Sequence, residues 1–147
     1  MKPLYIFDLD GTLALIEHRR HHVEGEKKDW PAFFAACVDD VPCEAVIHTM
    51  TSLSAAGNEV WIWSGRSDEV REQTMEWLRG HGCSGDQLRM RAFGDRRPDD
   101  TLKMTWYGEL SDRDKSRLVA VFEDRDRMVA AWRQRGVACF QVAEGAF

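Results

Sequence analysis

Short apolar segments that alternate with helical patterns constrain the fold of this chain more than any other feature. The sequence between these segments carries apolar residues at helical spacing, and several of the helical patterns end at a glycine. Regular alternation of strands with helices is typical of a doubly wound parallel sheet. We therefore predict an α/β fold with a mainly five-stranded parallel sheet, in a single domain over residues 1–147. The five predicted strands are Leu4–Asp8, Glu59–Ser64, Gln87–Arg91, Val119–Asp124 and Val137–Val142.

One connection in this alternating pattern is too long for an ordinary loop. Residues 14–42 separate the first strand from the next helical pattern, whereas a strand-to-helix loop usually has about two to six residues. Within it, Asp29 can cap a helix that has Pro31 in its first turn. We predict a small helical cap insert that covers a site and excludes water. Its helically spaced apolar residues are predicted to form a cap core rather than to stack on a base: Trp30, Phe33, Phe34 and Val38.

Acidic and hydroxyl side chains end three of the predicted strands. Asp8 and Asp10 follow the first strand, Ser64 ends the second, and Glu123–Asp124 ends the fourth. The ligand crevice of a parallel sheet lies beyond the carboxyl ends of its strands, so these residues are predicted to converge. Carboxylates so close repel one another unless a cation joins them, and Mg²⁺ with oxygen ligands is the usual solution. Gly11 permits the backbone to bend directly after Asp10.

Other readings of the Asp-x-Asp-Gly stretch are an ordinary turn after a strand or the start of a calcium loop. An EF-hand loop requires an oxygen ligand at its fifth position and a glutamate at its twelfth. Those positions hold Thr12 and Arg19 here, which argues against calcium. Similarly, His18, His21 and His22 are interpreted as a solvated basic segment rather than as a metal site.

Composition limits the partners and the location. The formal net charge of −5 argues against binding to long duplex nucleic acid, which normally requires a basic surface. No apolar run predicts membrane insertion, and no signal-peptide pattern is present, so we expect a cytoplasmic protein. Because no Cys-x-x-Cys pair occurs, free thiols are expected rather than disulfides or zinc at Cys37, Cys43, Cys83 and Cys139.

The stretch Asp8-Leu9-Asp10-Gly11-Thr12-Leu13 is similar to the first motif of the haloacid-dehalogenase superfamily. That resemblance implies a Rossmann-like fold and a phosphatase that forms an aspartyl-phosphate. Asp8 would be the nucleophile and Asp10 the general acid and base. Ser64 matches the second motif of the superfamily, and Lys103 would neutralise Asp8 and the transferring phosphoryl oxygens. Asp124 is the expected direct metal ligand, together with Asp8, the Asp10 backbone carbonyl and, through water, Glu123.

The second half of the chain resembles a narrower group, the 3′-phosphatase domain of phage-type polynucleotide kinase-phosphatases. This resemblance implies that Arg19 and Arg66 bind substrate and that Asp99 orients Lys103. From the sequence alone, Arg66 could equally pair with Asp68 or Glu69. The family has Asp-Asp where this chain has Glu123-Asp124, which could alter rate or metal preference. The matching stretches are Trp63–Arg66, Gly94–Asp100 with Lys103, Glu123–Arg125, Ala131–Val137 and Gln141–Phe147.

These observations predict a Mg²⁺-dependent phosphomonoesterase that removes 3′-phosphates from nucleotides or polynucleotide ends. No kinase activity is expected, because the chain lacks a Gly-x-x-x-x-Gly-Lys-Ser/Thr phosphate-binding loop. The alternative within the superfamily is a phosphatase of small metabolites or of 5′-nucleotides. The alternatives outside enzymes are a receiver-like domain, which stores an aspartyl-phosphate, and an inert phosphate-binding module.

Overall fold

Five parallel strands form the central sheet of the protein, whose computed structural model describes residues 1–147. The chain forms seven strands in all, which in chain order are β1 (Leu4–Phe7), β2 (Ala14–Leu15), β3 (Val41–Pro42), β4 (Glu59–Ser67), β5 (Gln87–Arg91), β6 (Leu118–Glu123) and β7 (Cys139–Gln141). Of these, β2 and β3 make a separate pair. The sheet has the order β5-β4-β1-β6-β7, and every neighbouring pair in it is parallel. The predicted α/β class and the five-stranded parallel sheet are therefore confirmed.

Six α-helices connect and flank these strands. They are α1 (Trp30–Ala35), α2 (Glu44–Ala55), α3 (Arg71–Gly80), α4 (Asp99–Gly108), α5 (Asp112–Arg117) and α6 (Asp126–Gln134). Short 3₁₀ turns occupy Glu17–His22, Ala36–Asp39 and Asp68–Val70. The sequence patterns did not predict α5, which is one and a half turns long and buries no residue. None of the helices is both long and apolar enough to cross a bilayer.

Two apolar layers pack against opposite faces of the sheet. On one face, the indoles of Trp61 and Trp63 in β4 pack with Trp132 of α6 and with α4. On the other face, Phe7 and Ile62 pack against side chains of α2 and α3. Strand β1 is buried on both sides because it lies in the middle of the sheet. Its carboxyl end is therefore held rigidly, which matters for the residues that follow it.

Strand β4 is longer than predicted. The sequence analysis ended it at Ser64, but its pairing with β5 continues to Ser67, which lies opposite Arg91. The register shifts between Ser64 and Ser67, so the two intervening residues form an irregularity in the ladder. This irregularity lies beside the end of β1, where the polar residues gather.

The insert over residues 14–42 is closed at its base by the antiparallel pair β2 and β3. Asp29 caps α1 as predicted, since its Oδ1 accepts a hydrogen bond from the Ala32 amide at 3.0 Å. The predicted cap core is only partly correct. Phe33 is buried, but Trp30 is 46% exposed because α1 has fewer than two turns and covers one side only. Val38 is 51% exposed and lies beyond α1, in the 3₁₀ turn that follows it.

Candidate active site

The carboxyl ends of β1, β4 and β6 bring Asp8, Ser64 and Asp124 to one edge of the sheet, and all three are buried. This convergence was predicted from the strand pattern. The chain turns sharply after Asp10 through Gly11, whose φ is +81°. A Cβ atom at Gly11 would overlap the Asp124 carboxylate. Glycine is thus required here both for its backbone conformation and for the close approach of the β6 end.

Lys103 reaches this edge from α4 and is itself buried. Its Nζ donates to Asp8 Oδ1 at 2.7 Å and to Glu123 Oε1 at 2.8 Å. Burial lowers the pKa of Lys103, but attraction to Asp8 and Glu123 outweighs that effect and raises the pKa well above its ordinary value. The lysine is therefore a fixed positive charge in direct contact with the predicted nucleophile.

Three buried carboxylates surround this single lysine. Oxygen atoms of Asp8, Glu123 and Asp124 lie within 4.8 Å of one another. Glu123 Oε2 and Asp124 Oδ1 are buried without a hydrogen-bond partner. Burial, followed by repulsion from Asp8, raises the pKa of Glu123 well above its usual value and that of Asp124 to about 8. These are the properties of a cluster that a divalent cation would neutralise.

The second charged group at the edge is built from two arginines and two aspartates. Arg66 donates to Asp10 Oδ1 at 2.5 Å and to Asp40 Oδ2 at 3.0 Å. Arg19 donates to Asp10 Oδ1 at 2.7 Å and to both oxygens of Asp40, at 2.7 and 2.8 Å. Both arginines and Asp40 are buried, while the Asp10 side chain is 21% exposed. We call these four residues the arginine–aspartate network.

This network controls the ionisation of Asp10. Burial raises the pKa of Asp10, but Arg66 and Arg19 together outweigh it, so the pKa lies below its ordinary value. The two guanidinium groups therefore favour the ionised form of the Asp10 carboxyl.

Arg66 and Arg19 are both predicted substrate-binding residues, and in the structure both contact carboxylates. The alternative pairing of Arg66 with Asp68 or Glu69 is wrong, because Arg66 bonds to Asp10, Asp40 and Thr74. Arg19 has a fully buried side chain that also donates to the Phe33 carbonyl. Direct contact of either arginine with a substrate phosphate stays a prediction.

Asp99 does not orient Lys103 by a hydrogen bond. Its carboxylate accepts instead from Arg91 at 2.5 Å and from Arg125 at 3.0 Å. It also lies against Gly65, where a Cβ atom would overlap it. Asp99 and Lys103 are four residues apart on α4 and so lie on the same helix face, but Asp99 bonds to the two arginines while Lys103 bonds to Asp8 and Glu123. This part of the prediction is corrected.

Ser64 is fully buried, and its Oγ accepts a hydrogen bond from the Arg66 amide at 3.1 Å. Its hydroxyl proton remains available for donation. Asp10 is not a member of the carboxylate cluster, since its side chain is bound to the arginines. Metal binding through its backbone carbonyl, like the binding role of Ser64, stays a prediction.

Two contributors to the site were missed by sequence reasoning. Asp40 holds both arginines, yet it lies in a paired-acid stretch with no recognisable motif. Its one signal was its position before Val41-Pro42, where the insert returns to the core. His18 was interpreted as solvated, but its Nε2 lies 2.7 Å from Asp40 Oδ1. The cysteines are free, as predicted.

Comparison with known proteins places these features in context. The family described as "Polynucleotide kinase PNKP phosphatase domain" matches residues 2–147. Two solved structures, titled "Structure of the Pnkp1/Rnl/Hen1 RNA repair complex" and "Structure of Pnkp1/Rnl/Hen1 complex", have chains 28% identical to this one, with TM-scores of 0.84 and 0.83. The matches cover 99% of this chain but 44% and 48% of those chains, so this chain spans less than half of their length.

A more distant match shows the fold alone. The class C acid phosphatase from Bacillus anthracis is 13% identical with a TM-score of 0.70, and the match covers 99% of this chain and 68% of that one.

Proposed function

Because this chain belongs to the family of polynucleotide kinase PNKP phosphatase domains and is a phosphatase of the haloacid-dehalogenase type, we propose that it removes 3′-phosphates from nucleotides or polynucleotide ends with the help of Mg²⁺. The observation that carries this proposal is the Asp8 carboxylate, bound to buried Lys103 and grouped with Glu123 and Asp124. One of the two 28%-identical chains is part of an RNA repair complex, which supports a nucleic-acid end as the substrate class.

Asp8 is the proposed nucleophile. One of its carboxylate oxygens attacks phosphorus, the bond from phosphorus to the leaving oxygen breaks, and an aspartyl-phosphate forms. Lys103 supports this step because it contacts Asp8 and can stabilise negative charge on the phosphoryl oxygens. Ser64, at the end of the adjacent strand, is proposed to donate its hydroxyl proton to another phosphoryl oxygen.

Asp10 is the proposed general acid and base. It protonates the leaving oxygen in the first step and takes a proton from the attacking water in the second, when the bond from phosphorus to Asp8 breaks. Arg19 and Arg66 hold its carboxylate in place but favour its ionised form. The charge of a bound phosphate opposes that effect, so we propose that Asp10 gains its proton when the substrate binds.

Asp8, Asp124 and Glu123 fit a divalent cation. The unpartnered buried oxygens of Glu123 and Asp124 supply acceptors, and the cluster has three carboxylates against one lysine. When bound there, Mg²⁺ would offset the negative charge of the phosphoryl group. The proposed ligands are Asp8, Asp124 and the Asp10 backbone carbonyl, with Glu123 acting through water.

A substrate panel tests the proposed function. We expect phosphate release from a 3′-phosphorylated oligonucleotide in Mg²⁺, loss of release with chelator, and loss in the variant Asp8→Asn. Asp112→Asn is the matched control, because Asp112 is exposed and α5 leads into the amino end of β6, at the edge of the sheet opposite the site. Preferential release from 5′-nucleotides or small phosphometabolites would favour the alternative substrates, and absence of turnover on any phosphomonoester would favour a non-enzymatic module.

A further inference from the structure

Arg20 lies next to the arginine–aspartate network in sequence, and its guanidinium group has unused hydrogen-bond donors. Its side chain is 35% exposed, and its ion pair with Glu24 is long, at 3.5 Å between Nε and Oε1. Glu24 is itself 63% exposed, so this pair contributes little to stability. Neighbouring Arg19, in contrast, is completely buried and fully engaged by Asp10, Asp40 and Phe33.

The side chain of Arg20 packs on an aromatic ring. Its guanidinium carbon lies 4.4 Å from the ring centroid of Phe147, which is a cation–π contact. The same ring is approached by Arg125 at 5.3 Å, and Arg125 Nε donates to the Phe147 backbone oxygen at 3.3 Å. Phe147 therefore joins the insert to the turn that follows β6.

The support for this ring is the backbone around Asp124. Gly145 packs so closely on Asp124 and Arg125 that a Cβ atom there would overlap their backbone atoms. The Gly145 carbonyl accepts from the Asp126 amide at 2.8 Å. Arg125 is bound in turn to Asp99, which lies against Gly65 in the segment that contains Ser64. Arg20 is thus connected, through Phe147, to residues that border the proposed phosphate site.

We propose that Arg20 binds a phosphodiester group of the substrate strand, next to the terminal phosphate, and that Phe147 positions it for this contact. The inference rests on the proposed function and names the feature that distinguishes a polynucleotide end from a mononucleotide. A phosphodiester is a suitable ligand because the planar guanidinium fork matches phosphate oxygens. In a protein of net charge −5, a partly exposed arginine beside the site gives local rather than extended contact with nucleic acid.

The test compares a 3′-phosphorylated single-stranded oligonucleotide with a nucleoside 3′-monophosphate, which has no phosphodiester. The substrate ratio is kcat/KM for the oligonucleotide divided by kcat/KM for the nucleoside 3′-monophosphate. For Arg20→Gln we expect this ratio to fall about fivefold to tenfold, because KM for the oligonucleotide rises. The dependence of log kcat/KM on log salt for the oligonucleotide should also weaken by about 0.7, the value for one single-strand phosphate contact.

Two further variants separate positioning from folding. Phe147→Leu should lower the substrate ratio in the same direction, and Phe147→Tyr, which keeps the ring, should restore it. Arg127→Gln is the matched control, since Arg127 is 63% exposed and contacts Asp100 at 3.3 Å. It should leave the ratio and the salt dependence unchanged.

The outcomes distinguish this inference from the proposed function. An unchanged ratio in Arg20→Gln, or equal losses on both substrates, would overturn the role of Arg20 and leave the phosphatase intact. A wild-type protein that hydrolyses the mononucleotide but not the oligonucleotide end would overturn both the polynucleotide substrate and the phosphodiester contact.

Discussion

The two charged groups at the end of the sheet are arranged on opposite principles. The arginine–aspartate network pairs two carboxylates with two guanidinium groups: Asp40 accepts hydrogen bonds on both oxygens and Asp10 accepts two on Oδ1, while Arg66 Nε is buried without a partner. The carboxylate cluster has three acids for one lysine, and two of its buried oxygens have no partner. A balanced buried network serves mainly to hold its members in place, whereas an unbalanced one is completed by a ligand.

This difference assigns separate tasks to two aspartates that lie close in sequence. Asp8 belongs to the unbalanced cluster and Asp10 to the balanced network. The proposed nucleophile, Asp8, thus lies where charge is still to be compensated, and the proposed general acid and base, Asp10, lies where two arginines hold its carboxylate. Substitutions in the carboxylate cluster should therefore affect mainly activity, and substitutions in the arginine–aspartate network mainly stability.

The largest effect is expected in the carboxylate cluster. Asp8→Asn should lower phosphate release by about 10³-fold or more, because the proposed nucleophile is lost. The metal-free protein should melt at an unchanged or higher temperature, since one of three crowded carboxylates becomes neutral. Phosphate release and calorimetry measure the two effects. Strong destabilisation with activity retained would contradict the contrast between the two groups.

Asp40→Asn, in the arginine–aspartate network, should lower stability strongly, in contrast to Asp8→Asn. Loss of the charge at Asp40 leaves two buried arginines with incomplete compensation, and the free energy of unfolding should fall by about 3–5 kcal/mol. Denaturant unfolding measures the change, with Asp39→Asn as the control because Asp39 is exposed. A small loss of stability, similar to that of the control, would show that Asp40 is not the centre of the network.

Mg²⁺ should stabilise the protein through the carboxylate cluster, by an amount smaller than the effect of Asp40→Asn. At a hundred times its Kd, Mg²⁺ should raise the free energy of unfolding by about 2.7 kcal/mol, and the gain should disappear in Asp124→Asn. No gain in the wild type would contradict a metal site in the cluster.

The gain from Mg²⁺ should depend on pH. Burial and then repulsion by Asp8 raise the pKa of Asp124 to about 8, so protons compete with the metal below that pH. In chelator, the native carboxyl holds a proton that the unfolded chain releases near its ordinary pKa of 3.8, so stability should fall as pH rises towards 8. Thermal unfolding with and without Mg²⁺ at pH 5.5 and 8 checks both expectations: the gain from Mg²⁺ should be larger at pH 8, and the stability in chelator should be lower at pH 8.

The smallest expected effect is on stability, from loss of the hydrogen bond between Trp132 and Glu123. Trp132 Nε1 lies 3.4 Å from Glu123 Oε1, and Trp132→Phe removes this donor. Trp106→Phe is the matched control, since Trp106 is buried in the same apolar layer. We expect Trp132→Phe to be less stable than the control variant by about 1 kcal/mol in denaturant unfolding. Equal losses would mean that the indole contributes packing alone.

Much of the catalytic edge was predictable because it follows from local patterns. Asp8, Ser64 and Asp124 were expected to meet because each ends an apolar strand, and parallel strands end on the same side. The insert was located by its length, although its aromatic core was predicted too large. The boundary of β4 was missed because a ladder irregularity has no clear sequence signal.

The sequence by itself determined the five strands of the central sheet, the sharp turn at Gly11 and the order in which the acidic residues appear, because hydrophobic period and glycine conformation act over a few residues. The tertiary structure alone decided how the charges pair. Asp40 meets Arg19 and Arg66 across 21 and 26 residues, and Lys103 meets Asp8 across 95. Such contacts depend on how the insert and α4 pack on the sheet, and the energy of a buried charge depends on all its neighbours at once.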